Sequence, residues 1–146
     1  MKFKKGIAAV MAAATLLTAS VPTTVYADSP SMYEPMPCYE LLSTAVPALL
    51  FEGSTAYCES VVDAEPSVVQ ITVVQKLQKY WGLWIWNDVS GATWTKTEND
   101  SNLVIQGIKT VSESGKYRTQ LEITMTNSDG STETVTVYSK EVEVTL

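Results

Sequence analysis

The chain has 146 residues, with 10 lysine and arginine side chains, 16 aspartate and glutamate side chains and no histidine, for a net charge of −6. This acidic balance argues against nucleic acids, anionic membranes and anionic wall polymers as electrostatic partners, because proteins bind such partners through basic faces. The lack of histidine excludes that residue as a catalytic base, a metal ligand or a pH switch.

The amino terminus has the three parts of a secretory signal peptide. Lys2, Lys4 and Lys5 precede an apolar run over 7–17, and the small residues Val25 and Ala27 stand at −3 and −1 of the expected cleavage site. The run has about 11 residues, whereas a membrane span needs about 20. We therefore predict a signal peptide over residues 1–27, cleavage between Ala27 and Asp28, and a secreted or surface-associated protein. Cleavage leaves seven basic and 16 acidic residues, a net charge of −9.

The mature chain reads as a proline-containing flexible leader over 28–40 followed by one β-rich domain over 41–146. Turn signals recur roughly every 8–14 residues, and no amphipathic helix follows the signal peptide. This pattern predicts an all-β, antiparallel, immunoglobulin-like or fibronectin-III-like sandwich of about 7–8 strands. The predicted strands cover 41–51, 55–62, 68–79, 80–87, 92–97, 103–111, 117–125 and 132–144.

The sequence predicts further details for several of these strands. Pro47 restricts the first strand to a sheet edge or a bend. In strand 68–79, the shared parity of Val69, Ile71, Val73 and Leu77 predicts one buried face. Strand 80–87 is expected to be broken at Gly82, and 89–91 is expected to be a turn. A hairpin turn is predicted at 127–130, and a bulge at Ser139-Lys140.

The chain has two cysteines, Cys38 and Cys58. An even count in an exported chain predicts a disulfide between them. It would close a loop of about 20 residues. The resulting loss of chain entropy in the unfolded state would stabilise the fold by roughly 3 kcal/mol. A reactive thiol is the alternative, but it needs an activating base or basic cluster, and none lies nearby in sequence.

The segment Glu-Ser-Gly-Lys-Tyr over 113–117 resembles the Gly-x-Tyr opening of the penultimate strand in immunoglobulin-like sandwiches. The resemblance implies that the Tyr117 hydroxyl forms a tyrosine corner, a hydrogen bond to the backbone a few residues upstream. Thr119 stands where antibody domains have a cysteine, so their core disulfide is not expected.

A longer resemblance covers 43–144 and concerns small secreted single-domain proteins of Gram-positive, particularly clostridial, bacteria. That family is a domain of unknown function. The shared features, in chain order, are Gly53-Ser54-Thr55-Ala56-Tyr57-Cys58, Leu77-Gln78, tryptophan-rich positions, Gly115–Arg118, Asp129-Gly130 with Glu133, and Tyr138-Ser139. The resemblance implies a β-sandwich that is exported, and it implies no activity.

Four tryptophans, Trp81, Trp84, Trp86 and Trp94, lie within fourteen residues. In an extended strand Trp84 and Trp86 would project from the same face and form a flat platform for a sugar ring or another protein. The alternative is that two or more of them fill the core of the sandwich, as a buried tryptophan does in many immunoglobulin-like domains.

The sequence offers little for catalysis. No Gly-x-Ser-x-Gly, Ser-x-x-Lys or His-Glu-x-x-His motif occurs. The acidic turns lack the spacing of a calcium loop and fit ordinary turn chemistry. We therefore expect a non-catalytic protein without cofactor or metal that binds an extracellular glycan or protein through an aromatic face or loops. A structural or self-associating surface protein, and a small secreted toxin or signalling protein, are the alternatives.

Overall fold

The computed structural model describes residues 39–146, which form eight antiparallel strands in two packed sheets. The expected signal peptide, its cleavage site and Cys38 lie outside the described residues. The strands are β1 (Leu42–Glu52), β2 (Thr55–Ala64), β3 (Val68–Gly82), β4 (Ile85–Glu98), β5 (Asn102–Thr110), β6 (Gly115–Asn127), β7 (Thr132–Tyr138) and β8 (Val142–Val144). The prediction of an all-β antiparallel sandwich is confirmed.

One sheet has three strands in the order β1-β2-β5, and the other has five, β4-β3-β6-β7, with β8 also beside β6. β1 pairs with β2 alone, so it forms an edge of its sheet. Pro47 lies within this edge strand, as predicted, where its missing N–H group does not interrupt a central ladder.

The core lies between the sheets, and β6 contributes most regularly to it. Its alternate residues Tyr117, Leu121, Ile123 and Met125 are almost fully buried, as the alternation in the sequence predicts. Each fully buried side chain of this size contributes about 1.5–3 kcal/mol relative to exposure.

The predicted inward face of β3 is wrong at its first residue. The pairing of β3 with β6 shifts between Val68 and Gln70, and this bulge reverses the parity there. As a result Val68 is buried while Val69 is 49% exposed, and Ile71, Val73 and Leu77 point inward as expected.

The predicted turn at 89–91 is also wrong, because β4 runs through it. Leu77 alone on β3 lies opposite four residues of β4, Val89 to Ala92, so the extra residues bulge out of the ladder. Gly91 has a φ of +73°, a left-handed conformation that glycine adopts without steric cost. Sequence signals for a turn and for a large bulge are alike, since both need such a residue.

The bulge predicted at Ser139-Lys140 is a break that divides the expected strand 132–144 into β7 and β8. The chain leaves the ladder after Tyr138 and rejoins β6 at Val142. Ser139 replaces the missing ladder bonds. Its amide donates to the Thr119 carbonyl over 2.9 Å, and its hydroxyl accepts from the Thr119 amide over 2.8 Å.

Three hydrogen bonds fix the core around Tyr117 and Gln75. The Tyr117 hydroxyl donates to the Glu113 carbonyl over 2.6 Å, which is the bond expected of a tyrosine corner. Ser60 on β2 donates to Gln75 on β3 over 2.6 Å, and the Gln75 amide donates to the Cys58 carbonyl over 3.3 Å. Since β2 and β3 belong to different sheets, these buried bonds tie the two layers together.

Cys58 is buried in the core beside Ala56, Leu77 and Tyr117. It carries a free thiol. Burial raises the pKa of Cys58 to about 11, and the Thr119 hydroxyl, which has no other hydrogen-bond partner, offsets part of this. A thiol in this state is unreactive.

The fold places Cys58 beyond the reach of Cys38. The Leu41 carbonyl accepts a hydrogen bond from the Glu65 amide, seven residues and roughly 23 Å along β2 from Cys58. Three residues back from Leu41 span at most about 11 Å. The remaining gap of about 12 Å exceeds the limit of about 7 Å between the Cα atoms of a disulfide. The predicted Cys38–Cys58 disulfide is therefore incompatible with this fold.

The edges of the two sheets meet where the Trp94 ring of β4 lies against Gly107 of β5. Trp94 packs on the core, and a Cβ atom at position 107 would overlap its ring. Glycine at this position therefore permits the close approach of β4 to β5.

We expect folding stability to fall as pH rises from about 9 toward 11, because the unfolded Cys58 thiol ionises near its ordinary pKa of 9.0 while the folded thiol stays protonated to about 11. The full loss is about 2–3 kcal/mol. Urea denaturation at both ends of this range measures it, with Cys58→Ala as the control. Equal pH dependence in the two proteins would contradict the prediction.

Gly107→Ala should destabilise the domain by about 1–3 kcal/mol, because the added methyl group overlaps the Trp94 ring. Urea denaturation of the single variants and of Gly107→Ala/Trp94→Leu gives the coupling between the two positions. The cost of the alanine should largely disappear once the indole is removed. If Gly107→Ala lowers the free energy of unfolding equally in the Trp94→Leu background, the added methyl group clashes with a group other than the indole, which would contradict the prediction.

Candidate functional site

The aromatic segment of the sequence forms a hairpin. β3 continues to Gly82, Leu83 and Trp84 make the turn, and β4 begins at Ile85. Tyr80 lies opposite Trp86 in the resulting ladder. The expected single strand over 80–87 is therefore wrong, and with it the expectation that Trp84 and Trp86 share one strand face.

The turn has an unusual conformation for its residues. Leu83 and Trp84 have φ values of +52° and +66°. Two-residue hairpin turns with both φ values positive favour Asn-Gly, because a larger L side chain meets the backbone there. The left-handed conformation costs roughly 1–2 kcal/mol for each such residue. Leu83 is 82% exposed and Trp84 is 91% exposed, so packing within the described domain does not offset that cost.

The inner face of the hairpin, which continues the core side of β3, borders a cleft of about 450 Å³. Trp81 lies at this cleft and is 69% exposed. The other lining residues come from the base of the hairpin, the bulge of β4 and the end of β5 with the loop after it. They are Lys79, Asn87, Asp88, Val89, Ser90, Lys109, Thr110, Val111, Ser112, Glu113 and Tyr117.

Some of the charged groups at the cleft have an oppositely charged partner, and one does not. Lys79 lies 3.4 Å from a carboxylate oxygen of Glu113. Asp88 accepts a hydrogen bond from the Gln78 amide and lies 3.2 Å from Lys76, and these contacts lower the pKa of the Asp88 carboxyl. Lys109 has no ion pair or hydrogen bond with any described residue. Lys109 is therefore the charged lining residue without an opposite charge within salt-bridge distance among residues 39–146.

The outer face of the hairpin is held by stacking. The Arg118 guanidinium lies 4.2 Å from the ring centre of Trp86 and 3.9 Å from that of Tyr138. It also donates to the Gln78 side chain over 2.9 Å. Tyr80 meets Trp86 edge to face at 5.2 Å. Cation–π contacts of this kind contribute about 0.5–2 kcal/mol each and fix the rings against the sheet.

The four tryptophans predicted to form one site thus occupy four different environments. Trp81 borders the cleft, Trp84 is at the tip, and Trp86 stacks on the outer face. Trp94 packs on the core. No common platform forms, and the core-packing alternative describes Trp94.

Sequence analysis missed Leu83, Lys79 and Lys109 as parts of this site. Gly82 within an aromatic run is a signal that could have indicated a hairpin. No sequence signal relates Lys109 to Lys79, because they belong to different sheets and border one cleft only through the packing of those sheets.

Across the described residues, no three histidine, cysteine, aspartate or glutamate side chains are placed to hold a metal ion. Asp129 has a role in turn geometry, since it accepts hydrogen bonds from the amide and hydroxyl of Ser131, and these bonds lower its pKa. Residues 39–146 contain no helix that is long and apolar enough to span a membrane.

No protein-family model matches the chain, and neither does any curated protein. Among solved structures, a candidate late embryogenesis abundant (LEA) protein is 14% identical with a TM-score of 0.42, and the match covers 87% of this chain and 85% of that one. Wild-type OgpA from Akkermansia muciniphila is 8% identical with a TM-score of 0.37, and the match covers 72% of this chain and 31% of that one. TM-scores this low support no argument about function.

Fluorescence quenching should distinguish the exposed tryptophans from the half-buried ones. Trp81 and Trp84 are the exposed tryptophans, whereas Trp86 and Trp94 are half-buried. Acrylamide and iodide should therefore quench a large part of the emission of the folded protein, and Trp81→Phe/Trp84→Phe should lose that part. Trp94→Phe is the matched control and should keep it. Equal quenching of the double variant and the control would contradict the assigned exposures.

Proposed function

We propose that this chain is an exported, non-catalytic binding module that holds an extracellular glycan in the cleft beside Trp81. The observation that carries the proposal is an indole 69% exposed at the border of a cleft whose lining is mainly polar. An aromatic side chain beside a few polar groups in a cleft is a common feature of ligand sites.

The chemistry of the cleft fits a sugar. A sugar ring has an apolar face that stacks on an indole and hydroxyl groups around its edge that need donors and acceptors. Asn87, Ser90 and Ser112 offer both kinds of group within one cleft, and Glu113 and Asp88 offer acceptors. A small number of placed polar groups beside an aromatic wall is the usual composition of a specific ligand site.

The positive charge of Lys109 favours a glycan that carries a negative charge. Its ammonium group lacks a carboxylate among the described residues. A sugar with a carboxylate group, such as a uronic acid, would supply the missing negative charge while its ring stacks on Trp81. We therefore include an acidic sugar in the proposal.

Separate observations support the type of sandwich and the export that are part of the proposal. The strand orders β1-β2-β5 and β4-β3-β6-β7, together with the Tyr117 bond to Glu113, support an immunoglobulin-like or fibronectin-III-like type of sandwich. The charged, apolar and small-residue segments of 1–27 support export. The resemblance to secreted clostridial proteins supports the same localisation.

Self-association is the alternative function, and the edge strand β1 is the feature that favours it. An unpaired edge can add a strand from a second copy. Pro47 lies in the middle of this edge and lacks the N–H group that such pairing uses. This edge is therefore a weaker binding feature than the cleft.

A glycan array that includes neutral and uronic-acid oligosaccharides tests the proposal, using residues 28–146. We expect binding to acidic oligosaccharides, and titration calorimetry with the strongest of them should show an affinity at least about tenfold lower for Trp81→Ala and for Asn87→Ala. Lys109→Gln should reduce the preference for acidic over neutral sugars. Val69→Ser, which changes an exposed apolar residue at the opposite end of β3, is the control.

Absence of binding to every oligosaccharide would overturn the proposed function. So would equal affinity of the wild-type protein and Trp81→Ala. If an oligosaccharide still binds after both cleft substitutions and loses affinity only when another surface is changed, the glycan site lies on that other surface.

A further inference from the structure

The outer edge of β7 presents backbone groups without partners. β7 pairs with β6 and with no other described strand, and the register has no shift. The Asn127 amide donates to the Ser131 carbonyl, and the Ser139 amide donates to the Thr119 carbonyl. Because bonding alternates along an antiparallel strand, the odd-numbered residues of β7 bond β6 and the even-numbered residues face outward. The outward-facing residues are Thr132, Thr134, Thr136 and Tyr138. Their N–H and C=O groups have no hydrogen-bond partner among residues 39–146.

The other edges of the two sheets are interrupted or covered. Pro47 lies within the edge strand β1 and cannot donate a ladder bond. β4 bulges out of its ladder between Val89 and Ala92. Lys96 of β4 donates to the Val104 carbonyl of β5 over 2.8 Å, so these two edges cover each other. β7 has no proline, lysine or bulge, which are features that prevent an edge from pairing.

The outward-facing residues of β7 are spaced so that a second copy pairs with all of them. They lie symmetrically about Val135. A two-fold axis at Val135 sets an antiparallel copy with Thr134 opposite its Thr136 and Thr132 opposite its Tyr138. Residues opposite each other in this way exchange both backbone bonds. No other two-fold register pairs all four outward-facing residues.

The side chains of β7 suit this register. The Thr124 and Thr134 hydroxyls lie 3.2 Å apart across β6 and β7, and the Thr72 and Thr97 hydroxyls lie 2.9 Å apart across β3 and β4. Thr134 opposite Thr136 of a second copy repeats this contact, and both side chains are exposed. Such cross-strand pairs contribute to the stability of a sheet. The outer face of the sheet therefore continues into the second copy with the same kind of contact.

Charge repulsion within β7 is small. Glu133 is the only charged residue of this strand, and it accepts hydrogen bonds from the Glu40 and Leu41 amides over 3.1 Å. In the two-fold register Glu133 lies opposite Val137. The two copies of Glu133 are then four residues apart along the strands, about 13 Å, which exceeds the Debye length of about 8–10 Å.

The charges past the end of β7 work weakly against pairing. Lys116 and Lys140 lie there with Glu141 and Glu143, and the register adds Asp129 of the second copy. Two positive and three negative groups leave a surplus of one negative charge. Salt screens such repulsion, so the pairing should strengthen as ionic strength rises.

We propose that two copies of this domain associate through β7, antiparallel and with the two-fold axis at Val135. The two five-stranded sheets then join edge to edge. Because the paired strands run in opposite directions, the clefts beside Trp81 lie at opposite ends of the joined sheet. The dimer does not depend on glycan binding, since it uses β7 and not the cleft.

Sedimentation equilibrium of residues 28–146 between about 10 µM and 1 mM tests the dimer. The paired segment is short, so we expect a dissociation constant of about 10–100 µM. Thr136→Pro removes an outward N–H group that the ladder to β6 does not use, and it should weaken the dimer at least about tenfold. Thr136→Val keeps this group and is the matched control, with the affinity of the wild type. Both variants should keep the circular dichroism spectrum of a β-sheet.

Engineered cysteines test the register independently. In a Cys38→Ser background, Thr134→Cys/Thr136→Cys brings each thiol opposite a thiol of the second copy, with about 5.5 Å between Cα atoms, which a disulfide can span. Mild oxidation should convert this variant to a covalent dimer. Thr132→Cys/Thr134→Cys is the control, because its thiols face Tyr138 and Thr136 of the second copy, and it should stay largely monomeric under denaturing conditions.

The outcomes also separate this inference from the proposed function. A wild-type protein that sediments as a monomer at about 1 mM would overturn the dimer. A dimer that Thr136→Pro does not weaken uses another surface, and equal crosslinking of the two cysteine pairs means that no single register exists. Either result would also overturn the inference. Asn87→Ala should lose glycan binding and still dimerise, whereas Thr136→Pro should keep glycan binding.

Discussion

β3 is longer than the strands that cover it, and this difference in length determines where the candidate site lies. It has 15 residues, whereas β2 has 10 and β5 has nine. Strands rise about 3.3 Å per residue, so the excess over β5 is about 20 Å. The core fills the shared length, and the rest of β3 returns as β4 without a facing sheet. Side chains that continue the buried face of β3 are therefore exposed beside the cleft, which is why Trp81 has water on one side.

The same extension explains why the hairpin keeps its form. Arg118 on β6 stacks on Trp86 and donates to Gln78, so the base of the hairpin is tied to the centre of its sheet. The Lys79–Glu113 pair ties it to the loop that leads into β6. With a fixed base, the turn can contain residues that disfavour its backbone conformation. A strained turn of roughly 2–4 kcal/mol is sustainable only because the rest of the ladder determines its register.

Sequence patterns predicted the features that depend on neighbouring residues. The alternation that buries Tyr117 through Met125 is local, and so are the turn that ends at Gly130 and the interruption at Ser139. The errors have a different origin. Val69 and the 89–91 bulge depend on register against a partner strand, which a period of two does not reveal. The tip was missed because Leu83 and Trp84 contradict the residue preferences on which turn prediction rests. Lys79 and Lys109 border the same cleft only because the two sheets pack on each other.

Net charge, for a similar reason, does not show where the charged side chains lie. A total of −6 is a sum over the whole chain, whereas electrostatic contacts at physiological salt are decided within about 10 Å. Sheet topology sends the β2–β3, β4–β5 and β6–β7 turns to one end and the β3–β4 hairpin to the other. Acidic turns lie at the end opposite the hairpin, whereas Asp88, Glu113 and Glu141 lie near its base, each 3.2–3.6 Å from a lysine. Strand direction therefore decides which charged side chains lie at each end of the domain.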